Sequence, residues 1–200
     1  MDISFLKNIL RDYPKFWEEY LQHFNDKNST NRYVIFDLKT SSKNEKNKLL
    51  VLSAIGIENE AIYIDDFIEI FIEQSINNPE EIIFHDLIKN KNHEKLSENE
   101  AIIEFINFIK NATLVSYNIE SDIEIINVIL EKLNAGKLKN DFMDIAIMYQ
   151  KLKNLPDDEI ITLDHLCDTY KIKKTGRHTA AGDSYIMAQI FLLLKRKLKI

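Results

Sequence analysis

The sequence predicts an α/β domain, a mixed sheet of five strands flanked by helices. Two observations carry this. Short runs rich in β-branched and aromatic residues recur at 33–36, 49–57, 61–72, 113–116 and 142–143, bounded by polar or turn-forming residues. The first three follow one another as a meander. From residue 98 onward such runs alternate with segments of helical spacing, the order that lays parallel strands side by side.

The elements follow in chain order. Residues 1–30 read as an N-terminal helical arm of two short helices, broken at Asp12-Tyr13-Pro14, with Pro14 in the first turn of the second. Phe5, Leu6, Ile9, Phe16, Trp17, Tyr20, Leu21 and Phe24 give it an apolar side, that of a packing appendage. Residues 31–200 form the sheet domain. Tyr33-Val34-Ile35-Phe36 is a buried central strand ending at Asp37. Strands over Leu49–Ile57 and Ala61–Ile72 meet at a turn near Asn59-Glu60, and residues 73–95 are a long connection. Ser97-Glu98-Asn99-Glu100 is a capping box for a helix to Lys110, with Ala101, Ile102, Phe105, Ile106 and Ile109 on one face. The strand Thr113–Ser116 leads through Asn118 into a helix to Leu133, closed at Asn134-Ala135-Gly136, where a left-handed cap is available. A short strand at Phe142-Met143 precedes a helix from Asp144. Thr162 caps a helix to Tyr170, and the last helix runs from Thr179 to Lys197. Its basic end, Lys195, Arg196, Lys197 and Lys199, complements the helix dipole.

Composition narrows the function. No basic tract stands out, and a net charge of −6 argues against a protein that coats nucleic acid non-specifically. It does not argue against an enzyme whose acids hold cations, because bound cations reverse the local field. Cys167 is the only cysteine, which excludes an intrachain disulfide and a cysteine metal cluster and fits a reducing compartment. The N-terminus lacks a secretory pattern and no apolar stretch is long enough to span a bilayer. A cytoplasmic protein without membrane association is expected.

Four residues stand out for chemistry: Asp37, Asp122, His178 and Asp183. Asp37 ends a buried strand, a rigid place from which to project a carboxylate. Asp122 falls in the first turn of the helix after the fourth strand. Ligands gather outside the carboxyl ends of such strands. His178 and Asp183 would diverge by about 140° on one helix. They converge if His178 comes from the preceding loop and Asp183 from the first helical turn.

The stretches FDLKT, LVSYNIESD and RHTAAGDSYIMAQIF resemble, in that order, the three signature segments of the DEDDh 3′–5′ exonucleases, a family that includes the proofreading epsilon subunit of bacterial DNA polymerase III. The resemblance runs from Tyr33 to Leu194. It takes in Leu52-Ser53-Ala54-Ile55-Gly56 as the second strand and LDHLCDTYKI between the second and third motifs. It implies a ribonuclease-H-like fold and hydrolysis of phosphodiesters at the 3′ ends of single-stranded DNA or RNA, with a DNA polymerase as partner. It also implies two Mg²⁺ or Mn²⁺ ions about 3.5–4 Å apart. Carried over, Asp37 would bridge the ions, Asp183 hold one and Asp122 support the other. His178 would be the general base. Leu38, Thr40 and His85 stand where the family contacts the terminal nucleotide, and Asn118 occupies the Asn position of the second motif. Asp144 matches a recurrent family Asp and equally suits a helix cap.

The chain departs from the pattern at the site. The family's Glu two residues after its first Asp is Lys39 here. Alternation along a strand turns position 39 the same way as Asp37. A carboxylate is thus exchanged for an ammonium beside the ions, a change of two charge units. Lys39 either swings to solvent on its flexible stem or pairs with Asp37 or Asp183 as a counter-charge. Glu45 is the nearest acid that could reach back. Thr40-Ser41-Ser42 replaces Thr-Thr-Gly, Ser121 replaces a Phe, and Asp86 replaces the Gly after His85. These departures raise the alternative of a nuclease-dead module that binds nucleic acid or a polymerase-type partner.

Overall fold

The computed structural model describes residues 12–25, 31–41, 48–73 and 95–200. The first arm helix, Ser42, Glu45, His85 and Asp86 lie outside the described residues. Strand β1 (Tyr33–Thr40) pairs antiparallel with β2 (Leu49–Glu58), which pairs antiparallel with β3 (Ala61–Ile72). On its other side β1 runs parallel to β5 (Thr113–Ser116), and β5 parallel to β6 (Phe142–Asp144). The two-residue strand β4 (Lys95–Leu96) adds to the end of β3, so the described sheet has six strands in the order β4-β3-β2-β1-β5-β6. The expected count was five. Two residues carry no readable alternation, which is why β4 escapes a pattern search.

Alternation in β1 sorts its side chains between two cores. Val34 and Phe36 join one apolar cluster, with α1 (Lys15–Gln22), α2 (Glu98–Ile109) and α3 (Ile119–Lys132). Ile35 joins the other, with α4 (Ile145–Lys153), α5 (Leu163–Tyr170) and α6 (Ala180–Leu198). Asp37 and Lys39 share parity with Ile35 and so face the α6 side, whereas Leu38 packs with the first cluster. Burying one such side chain is worth about 1.5–3 kcal/mol.

Local chemistry explains the helix ends. Ser97 and Glu100 form the reciprocal capping box, Thr162 accepts from His165 N, and Asp144 accepts from Ala146 N and Ile147 N. Pro14 is the N-cap of α1, one position before the expected first turn. Asn134, with φ 56°, is the left-handed residue after α3; Gly136 is not. Gly136 instead makes room for Trp17, whose ring would lie 3.2 Å from a Cβ placed there. Tyr20 donates its hydroxyl to Asn140 Oδ1 (2.7 Å) and accepts from Lys139 N (2.8 Å). Trp17 and Tyr20 are buried, so over residues 15–22 the arm is part of the core.

Candidate active site

The carboxyl end of β1 meets the start of α6. Asp183 lies in the first turn of that helix and is 2% exposed. The preceding loop folds tightly onto this turn. Thr179 donates its hydroxyl to Gly176 O and accepts from Gly182 N. A Cβ on Gly182 would sit 2.0 Å from Gly176 O, so only glycine permits this approach. The fold of the loop turns His178 into the left-handed region, φ 73°. His178 N donates to Asp183 Oδ1 at 3.0 Å while its side chain stays in an exposed position at the rim.

Lys39 takes the second of its two courses. Its Nζ lies 2.6 Å from Asp183 Oδ2 and 3.0 Å from Asp37 Oδ2. The approach to Asp37 is out of line for a hydrogen bond, and Asp37 Oδ2 remains buried without one. Asp183 is saturated. Besides Lys39 and His178 N, it accepts from Arg177 NH1 on both oxygens at 2.9 Å. The Nε and NH2 edge of Arg177 holds Asp164 of α5 at 3.1 and 3.3 Å, and its NH1 lies 3.3 Å from His178 Nδ1.

Electrostatics follow from burial. Burial pushes the Asp37 carboxyl up to about 6 against the pull of Lys39. Burial pushes Asp122 up to about 7, offset in part by the Ser116 hydroxyl, which donates to Asp122 Oδ2 at 2.6 Å, and reinforced by the charge on Asp37. Burial works against the charge on Lys39, but the two carboxylates outweigh it and raise its pKa.

The structure thus brings Asp37, Lys39 and Asp183 into contact, with Asp122 close enough to feel Asp37 and His178 backbone-linked to Asp183. It does not bring Leu38 to them; that side chain turns to the opposite face. Thr40 follows a bulge between Lys39 and Thr40. Asn118 is left-handed, φ 62°, at the exposed start of α3, with no side-chain cap bond. Asp144 holds Ile119 N at 2.9 Å as well as capping α4, tying two helix starts to the strand ends. Arg177, Asp164 and Ser116 were not singled out by sequence reasoning; an Arg adjoining His178 and six residues from Asp183 was the available signal.

A pair of divalent ions does not fit this arrangement. Orphaned Asp37 Oδ2 is a seat for a cation, but the Lys39 ammonium lies against it, and both Asp183 oxygens are taken. Among the described residues, no three His, Cys, Asp or Glu side chains are disposed to hold a metal ion.

A family model described as Exonuclease (RNase_T) matches residues 34–191. The chain belongs to the exonuclease family. Among its relatives is the DNA polymerase III subunit epsilon of Buchnera aphidicola subsp. Acyrthosiphon pisum, 39% identical over 92 residues, which are 45% of this chain and 39% of that protein. The same subunit from Buchnera aphidicola subsp. Baizongia pistaciae is 22% identical over 172 residues, 82% of this chain and 70% of that one. In structure the chain is similar to E. coli exonuclease I solved in complex with a dA16 oligonucleotide, with a TM-score of 0.67 at 13% identity over 85% of this chain and 42% of that one. The chain therefore spans less than half of exonuclease I. The exonuclease-family fold is ribonuclease-H-like, as expected, with the short sixth strand added. No helix among the described residues is long and apolar enough to cross a membrane.

Proposed function

We propose that this exonuclease-family chain engages the 3′ end of single-stranded nucleic acid at the cleft of Asp37, Asp122, His178 and Asp183, as a 3′–5′ exonuclease whose hydrolysis is suppressed by Lys39. The observation that carries the reading is the ammonium between Asp37 and Asp183. Family membership supports the reaction class, and the oligonucleotide bound to exonuclease I supports the substrate class. In the family, divalent ions such as Mg²⁺ or Mn²⁺ would supply the charge stabilisation for phosphodiester hydrolysis. In this chain Lys39 lies against Asp37 and Asp183, and Arg177 takes up both oxygens of Asp183. Opposite charges about 4 Å apart are worth roughly 4 kcal/mol at an effective dielectric of about 20, enough to compete with an ion for the carboxylates.

The binding-module reading is favoured by one observation, the saturation of Asp183 by four donor contacts. One experiment separates the two. Under the suppressed-enzyme reading, Lys39→Glu raises Mg²⁺-dependent release of nucleotides from a single-stranded 3′ end by about a thousandfold. Combining it with Asp183→Ala returns the rate to background. Should Lys39→Glu alone stay at background, Lys39 is not what suppresses hydrolysis, and the binding module is the better account. A polymerase-type partner for either form is a proposal from the epsilon-subunit likeness alone.

A further inference from the structure

Resting on that reading of the cleft, we propose that it grips a single-stranded 3′ end without any divalent metal, Lys39 meeting the terminal phosphodiester and the basic 171–177 loop holding the backbone.

The misfit for ions is the starting point. Three carboxylates, Asp37, Asp122 and Asp183, face two internal cations, Lys39 and Arg177. Little negative charge is left over to attract a pair of divalent ions. An ammonium has three N–H donors. Two carboxylates approach that of Lys39, whose side chain is still 22% exposed. Only Asp183 takes a hydrogen bond from it, so at least one donor is left for an incoming phosphate oxygen. Arg177 is held by Asp164 along its Nε and NH2 edge and by Asp183 at NH1, so its part in the site is to neutralise Asp183.

The loop supplies the remaining attraction. Lys171, Lys173, Lys174 and Arg177 fall within seven residues that contain no acid, in a chain of net charge −6. The three lysines are exposed, and the loop ends in the residues that touch Asp183. Lys174 is paired with Asp164 and Asp168, which leaves Lys171 and Lys173 without a carboxylate partner among the described residues. Exposed basic side chains neutralise backbone phosphates by releasing counterions, and this needs no metal.

The test is fluorescence anisotropy with a 5′-labelled single-stranded oligonucleotide carrying a phosphorothioate at its 3′ end, titrated in EDTA and in Mg²⁺. Wild-type affinity is expected to agree within about twofold between the two conditions. Lys171→Gln combined with Lys173→Gln, both on the surface, is expected to weaken binding several-fold and flatten its salt dependence. Lys39→Glu is expected to lose about tenfold or more in EDTA and to regain it with Mg²⁺. Wild-type binding that appears only with Mg²⁺ overturns the inference and leaves the functional reading standing. Metal-independent binding indifferent to both sets of substitutions overturns it as well. Absence of binding in both conditions overturns the inference and the functional reading together.

Discussion

A carboxyl group buried beside a like charge titrates late, and Asp122 gives this a measurable signature. Its pKa in the folded chain is about 7, raised by burial, against about 3.9 in an unfolded chain. Between those values the folded state holds the extra proton. The contribution to stability is therefore complete below about pH 4 and is lost as pH rises through about 7. Asp122→Asn keeps an acceptor for the Ser116 hydroxyl and removes the titration. Denaturant unfolding in EDTA should find the variant more stable than the parent at pH 8, by on the order of 1–2 kcal/mol after allowing for partial exposure. At pH 4 the two should coincide. A variant gain that is the same at both pH values would mean that the buried charge is not the cause.

At the scale of elements, the junction of the 171–178 loop with α6 holds the site's geometry, and it depends on a glycine inside a helix. Gly182→Ala places a methyl group 2.0 Å from Gly176 O. The loop must move off the helix, taking His178 and Arg177 with it. A loss of about 2–4 kcal/mol is expected in thermal or denaturant unfolding, with loss of the His178 N to Asp183 bond visible as faster amide exchange at His178. Such tertiary contact is not legible in sequence, where Gly182 reads only as a weak helix former. Much else at this scale is legible. Strand β1, the capping box at Ser97 and the start of α6 at Thr179 each carry their pattern in adjacent residues. Position 39 could be assigned to the face of Asp37 because a strand alternates. What pattern cannot supply is partnership across the chain. Thus β4 is too short to alternate, Leu38 packs into the first apolar cluster, and Arg177 finds Asp164 and Asp183 only once α5 and α6 are packed.

On the scale of the whole molecule, α1 binds residues 15–22 into the fold. Trp17 fills the space left by Gly136, and the Tyr20 hydroxyl joins Asn140, which in turn donates to Lys110 O and Ala112 O. Three separate stretches of chain meet there, beneath the same apolar layer that carries Val34 and Phe36. Trp17→Ala should cost about 3–5 kcal/mol in equilibrium unfolding. A cost under about 1 kcal/mol would show that the segment is an appendage whose removal the domain tolerates.

The contact between Lys39 and Asp183 joins residues 144 positions apart. A ribosome delivers β1 long before α6. Until the final helix has been made and docked, Asp37 has no Asp183 opposite it and the loop with His178 does not exist. A chain that stops short of α6 therefore cannot assemble the contact of Lys39 with Asp183.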